Sequence, residues 1–200
     1  MENLLSKAER TKQFIIETTA GIFNTKGYAG TSMSDITEAT GLTKGSIYGN
    51  FENKEDVALA VFDYNYSRLV KIRRQKIADA VTYYDKLMVY AKIYHSFYQK
   101  NFPIGGCPIL NTAVEADDTN VRLKEKAAKA ISKWKTNIME LIQAGIDKGE
   151  FNAADDIEQM ALSIIALIEG GIMIARVTDN RLNMDKVLKT VEALISQIKI

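Results

Sequence analysis

Apolar side chains recur along this chain at three- and four-residue intervals and strand-like alternation is absent, so the pattern predicts helices from end to end. Val57 to about Ala80 reads as one long helix. Tyr84 to Asn101 reads as a second with Leu87, Tyr90, Ala91, Tyr94 and Tyr98 on its apolar face, and Val121 to Lys148 as a third, closed by Gly149. A short helix is expected over Ile109 to Glu115, a strongly apolar one from Asp155 or Asp156 through Val177, and a last one from Asn183 to Ile198. The only two prolines both fall in Phe-Pro-Ile-Gly-Gly-Cys-Pro, residues 102–108, where the helical pattern breaks. The expected architecture is all-α, with a small N-terminal domain over residues 1–55 and a larger helical domain over 56–200.

Within the small domain, residues 31–51, TSMSDITEATGLTKGSIYGNF, spell two short helices around a glycine turn. Ser32 with Asp35 three residues on has the spacing of a capping box, which satisfies open amides at a helix start. Ile36 and Ala39 would face inward, and Gly41 offers the left-handed position at which the helix ends after Thr40. Thr43 caps a further helix from Lys44 to about Asn50, so the unit reads as a helix-turn-helix whose second helix enters a DNA groove. Gly45 costs such a helix about 1 kcal/mol relative to alanine. The cost is explained if the backbone must approach a phosphate or a base edge closely. The expected DNA contacts are Thr31, Ser32, Thr43, Lys44, Gly45, Ser46, Tyr48, Asn50 and Lys54, with Lys44 and Lys54 on phosphate and Ser46 at a base edge.

This stretch, continued through Glu52-Asn53-Lys54-Glu55, resembles the DNA-binding signature of the TetR/AcrR family of transcriptional regulators. Ile15, Ile16, Ala20, Ile22 and Phe23, followed by Lys26-Gly27-Tyr28, resemble that family's first helix and its glycine-aromatic exit. The resemblance covers roughly residues 10 to 60. It departs from the family pattern at Gly49, where an aromatic or histidine is usual, and at Asn50, where histidine or tyrosine is usual. It implies a regulator that binds double-stranded DNA and carries a small-molecule effector pocket in the larger domain.

Charge does not advertise nucleic acid. The chain has a net charge of +1. Residues 1–60 carry six basic side chains against eight acidic, although residues 61–80 add five basic against two acidic. Binding would rest on local placement of cations and should be salt-sensitive. The single cysteine and single histidine leave no internal disulfide and no metal-ligand cluster, and no cofactor is expected. The first apolar cluster is broken by Lys7, Glu9, Arg10 and Lys12, unlike a signal peptide, so a cytoplasmic protein is expected. Met160 to Ala175, shorter than a membrane span and carrying Glu169, reads as a buried helix rather than a membrane segment.

That helix is apolar around nearly its whole circumference and so needs cover on two sides. Its own domain is one partner and a second copy is the expected other, through Ile164, Ile168, Gly171, Ile172, Val191 and Ile195. A two-fold homodimer would match a palindromic operator. The effector pocket is expected among Met88, Tyr94, Tyr98, Phe102, Cys107, Trp134, Met139, Glu169 and Met173, although aromatics and methionines at this spacing also suit a plain core. Cys107, set before Pro108 at a helix start, is an alternative redox or electrophile sensor or simply a packing residue. His95 reads as a surface or hydrogen-bonded histidine, and Glu169 as a paired or ligand-facing carboxylate. The leading reading is a ligand-responsive repressor and not an enzyme. The alternative is an all-α small-molecule carrier or enzyme without DNA binding.

Overall fold

The structure, a computed structural model, describes residues 6–96, 102–152 and 156–200. The described residues form nine α-helices: α1 (Lys7–Gly30), α2 (Met33–Thr40), α3 (Lys44–Tyr48), α4 (Lys54–Asp79), α5 (Tyr83–Lys92), α6 (Pro108–Ala116), α7 (Val121–Asp147), α8 (Ile157–Val177) and α9 (Arg181–Gln197). They contain no strand, only an isolated bridge between Phe151 and Lys199. Two compact units divide the chain, one of residues 1–68 with 103–128, the other of 69–102 with 129–200. The helices α4 and α7 each contribute to both.

In the first unit, Ile15, Phe23, Ile36, Ile47, Phe51 and Val57 close a core that also takes Ala116 and Leu123. The later segment is therefore an integral part of this unit. It is tied to α1 by two side-chain amides: Asn24 Nδ2 donates to the carbonyls of Ile104 and Gly106, while Asn111 Nδ2 donates to those of Asn24 and Gly105. Glu55 and Asp56 accept from Arg122, and Asp63 pairs with Lys126. Arg122 and Asn120 hold the Glu55 carboxyl below the usual range.

The end of α1 is bent at Gly27, whose backbone (φ 74°, ψ 177°) lies where essentially only glycine is found. The bend exposes amides and carbonyls that need partners. Glu115 of α6 accepts from the amides of Tyr28 and Ala29, both at 2.8 Å, and a Cβ on Gly27 would collide with that carboxylate. The Lys54 ammonium donates to the carbonyls of Tyr28 and Thr31, each at 2.8 Å, and lies over the Tyr28 ring. Carboxylate and ammonium thus fasten the two polar sides of one bend.

The second unit is centred on Leu87, Tyr90, Trp134, Ile138 and Ile142, together with Ile164, Ile168 and Ile172 of α8 and Leu188, Val191 and Ile195 of α9, all fully buried. Gly171 lets the two last helices approach, since a Cβ there would meet Met184 and Val187 of α9. Ile164, Ile168, Gly171, Ile172, Val191 and Ile195, expected to meet a second copy, are buried within the protomer itself. Periodicity marks the face that is buried but cannot say whether the cover is the same chain or another. At 21 residues α8 is, by length and composition, also long and apolar enough to cross a membrane, longer than the 160–175 stretch suggested. Here its apolar side packs on α9.

Several helix boundaries differ from expectation, among them the start of α4 at Lys54 rather than Val57. Helical hydrogen bonding in α5 ends at Lys92 and a 3-10 turn follows over Ile93–Ser96, within the helix expected from Tyr84 to Asn101, whose residues 97–101 lie outside the described residues. Asn180 caps α9 by accepting from the Leu182 amide, so that helix starts two residues before Asn183. And α3 stops at Tyr48, because the Asn50 side chain takes the Ser46 carbonyl at 2.9 Å.

Gly27→Ala should destabilise the protein by about 2 kcal/mol or more, since it adds backbone strain of about 1–3 kcal/mol to the clash with Glu115. Chemical denaturation checks this. A change within about 0.5 kcal/mol, the range of ordinary surface substitutions, would remove the bend from the stability account.

Candidate functional site

The helix-turn-helix forms for the local reasons read from the chain. Ser32 and Asp35 make the reciprocal capping box of α2, Gly41 closes it in the left-handed region (φ 68°), and the Thr43 hydroxyl accepts from the Ser46 amide to start α3. Asp35 also pairs with Lys26 at 2.6 Å. That ammonium first, then the Ser32 hydroxyl and amide, hold its carboxyl far below the ordinary range. The acid is thereby neutralised in place beside the start of α2.

Exposure sorts the expected contacts into two groups. Ser32, Thr43, Lys44, Gly45 and Tyr48 face solvent, with Ser46 half-buried beside them, while Ile47 is fully buried against the core. Space is open around Gly45, where a Cβ would meet nothing nearer than the Thr43 hydroxyl at 3.9 Å. Packing therefore does not require this glycine. The other group is structural. Thr31 is fully buried and its hydroxyl donates to the Gly27 carbonyl at 2.6 Å, so it is not a surface contact. Lys54 is committed to two carbonyls and a ring, which corrects its expected role as a phosphate anchor. One Asn50 amide hydrogen is likewise used at the end of α3. Ala39, expected inside, is exposed. A cation missed in the sequence is Lys12, exposed on α1 and lying 5.0 Å from the Phe51 ring centre. The partners are 39 residues apart, and no local pattern joins them.

In the second unit, Tyr90, Tyr94, Trp134 and Phe102 do gather, with the Tyr94 ring 6.2 Å from Trp134 and 5.8 Å from Phe102. They are mostly packed core, as is Met88. Met139 is half-buried, Met173 is exposed, and Glu169 is half-buried with Oε2 shielded from solvent. Tyr98 lies outside the described residues. Cys107 belongs to the first unit, as N-cap of α6 with Pro108 behind it, but its side chain makes no capping bond and is only 1% exposed. His95 is hydrogen-bonded to Asp185 at 2.9 Å and to Glu192 at 3.3 Å on α9.

Among the described residues of this unit, two of the cavities are large enough to hold a small molecule. One of about 620 Å³ is lined by Ile72, Val89, Ile93 and Phe102 with Lys76, Asp79, Asp85 and Lys92 among its polar groups. The other, about 390 Å³, lies among α4, α5 and α7 and includes Arg73, Tyr83, Tyr90 and Leu141. Of the pocket residues expected from the sequence, Phe102 lines the larger.

Comparison with known proteins agrees with this geometry. The family description "Bacterial regulatory proteins, tetR family" matches residues 15–61, and "Tetracyclin repressor-like, C-terminal domain" matches residues 84–191. A transcriptional regulator of the TetR family from Cytophaga hutchinsonii is similar at 51% identity over 98% of both chains, with a TM-score of 0.94. A TetR regulator from Chloroflexus aurantiacus is similar at 37% identity over 98% of both, with a TM-score of 0.92. The transcriptional repressor DhaR of Mycobacterium sp. (strain GP1) is 27% identical over 92% of each chain. With an exposed polar α3 on a capped helix-turn-helix and matches across both parts of the chain, this protein belongs to the TetR family of DNA-binding transcriptional regulators.

Proposed function

We propose that this regulator is a homodimeric repressor that holds a palindromic operator and is released by a small molecule bound in its second unit. The observation that carries the reading is the solvent-facing polar surface of α3, where Lys44 stands exposed while nearby acids are occupied elsewhere. That pairing reduces the excess of acid in the first 60 residues, which favoured a carrier or enzyme without DNA binding, by the one cation, Arg122, that comes from outside them. Among more distant proteins of the same fold, CifR was solved on a 26-bp double-strand operator DNA and FadR of Bacillus subtilis with stearoyl-CoA. Both are consistent with a DNA-reading part and a ligand-binding part. A reversible ligand is preferred over thiol chemistry, because Cys107 is shut away from solvent.

The surface available to a second copy is the outward stripe of α8. Leu162, Ala166, Met173, Ile174 and Val177 are exposed on it, Val177 at 82%, and Gly170 has open space where a Cβ would stand. A contiguous exposed apolar stripe of this kind marks an association surface. Two-fold pairing through it presents two copies of α3 to DNA.

Two outcomes test the proposal. Lys44→Ala should weaken binding to every DNA sequence and lower the slope of log K against log salt by about 1, whereas Lys54→Ala should chiefly lower stability. Fluorescence anisotropy over a salt series and thermal melts separate the two, and an unchanged slope in Lys44→Ala would remove the phosphate assignment. Ala166→Glu should place a charge in the dimer seam and yield a folded monomer by sedimentation. A dimer unaffected by that change would move the interface elsewhere.

A further inference from the structure

Arg73 is a buried cation with no anion paired to it among the described residues. It is 4% exposed, and its guanidinium lies 5.3 Å from the Tyr90 ring centre and 5.6 Å from that of Trp134. Ring faces attract the charge but give its N–H groups little to bond to. Nη2 is buried with no hydrogen-bond acceptor among the described residues, and Arg73 enters none of their ion pairs. An arginine desolvated in this way is costly unless something pairs with it.

The same residue lines the 390 Å³ cavity. Arg74 and Lys133 add two more cations to its wall against the single carboxylate of Glu140, while Val70, Ile77 and Leu141 supply an apolar side. The larger cavity sets Lys76 and Lys92 against Asp79 and Asp85, and so has no such imbalance. We propose that the smaller cavity takes an organic anion, a carboxylate carried on an apolar body, with the carboxylate on Arg73 and the body along Val70, Ile77 and Leu141. This deepens the ligand-responsive reading and rests on it. The occupant supplies what the fold lacks: acceptors in the plane of the guanidinium, which bind it bidentately.

Trp134 is the chain's only tryptophan and stands beside Arg73, so its emission reads the site directly. Titration of the intact protein with 4-phenylbutyrate and octanoate should give saturable changes, with affinities at least about tenfold tighter than those of the matching amides or of inorganic phosphate. Arg73→Met should abolish that preference for acid while circular dichroism stays unchanged, and Arg73→Lys should keep part of it. Equal binding of acid and amide, phosphate binding as tight as the acids, no saturable change with either acid, or a preference surviving in Arg73→Met would each overturn the proposal. The comparison of acid with amide in the unmodified protein decides the matter even where a variant fails to fold. A separate arm measures DNA release. Release by a neutral compound, with no acid preference at Trp134, removes this inference and keeps the ligand-responsive reading, while an intact acid preference without release does the reverse.

Discussion

Two opposite charges at one bend of the backbone hold the DNA-reading unit in shape. Where α1 turns at Gly27, its last residues leave the helical ladder, and the groups so released are taken by Glu115 on the amide side and Lys54 on the carbonyl side. Hydrogen bonds to a charged partner contribute about 1.5–3 kcal/mol each, and an unmade buried one costs as much. The consequences run outward from the bend. Thr31 turns inward to bond the Gly27 carbonyl, which sets Ser32 at the surface as the cap of α2, and α2 with the Gly41 turn then sets the start of α3. The bend also explains why residues 103–128, remote in sequence, belong to this unit: α6 carries the carboxylate that the bend needs.

How much of this was legible follows from distance along the chain. Capping is local, so Ser32 with Asp35, the Gly41 stop and the Thr43 cap could be read from residues three or four apart. The fate of Lys54 could not, because its carbonyl partners lie 23 and 26 residues away, and the amide partners of Glu115 lie 86 and 87 away. A lysine at a helix start looks the same whether it faces phosphate or closes a bend. The α8 stripe failed differently. Its inward and outward sides are both apolar, so hydrophobicity named the helix but could not tell which side the protomer itself covers, and Gly171 lies on the side that faces α9. Tyr90, Tyr94 and Phe102 formed a cluster with Trp134, yet core and cavity wall use the same side chains, and Arg73 became visible only through its burial.

The two units put their charges to different uses. In the first, Asp35, Glu55, Asp56, Asp63 and Glu115 are taken by Lys26, Arg122, Lys126 and backbone amides, while Lys44 stands exposed at the start of a small polar helix. Affinity for DNA then depends on a few placed contacts and carries a strong salt dependence. In the second, cations gather around a cavity with one carboxylate among them. A single helix, α4, carries both Lys54 of the bend and Arg73 of the cavity.

Selection from a random-sequence duplex library with the purified protein tests the central claim most directly. The account predicts enrichment of two-fold symmetric sites whose half-sites are separated by about one helical turn or a multiple of it, as two related copies of α3 require. Recovery of sequences no different from the starting library, or of single asymmetric sites bound by one protomer, would contradict it.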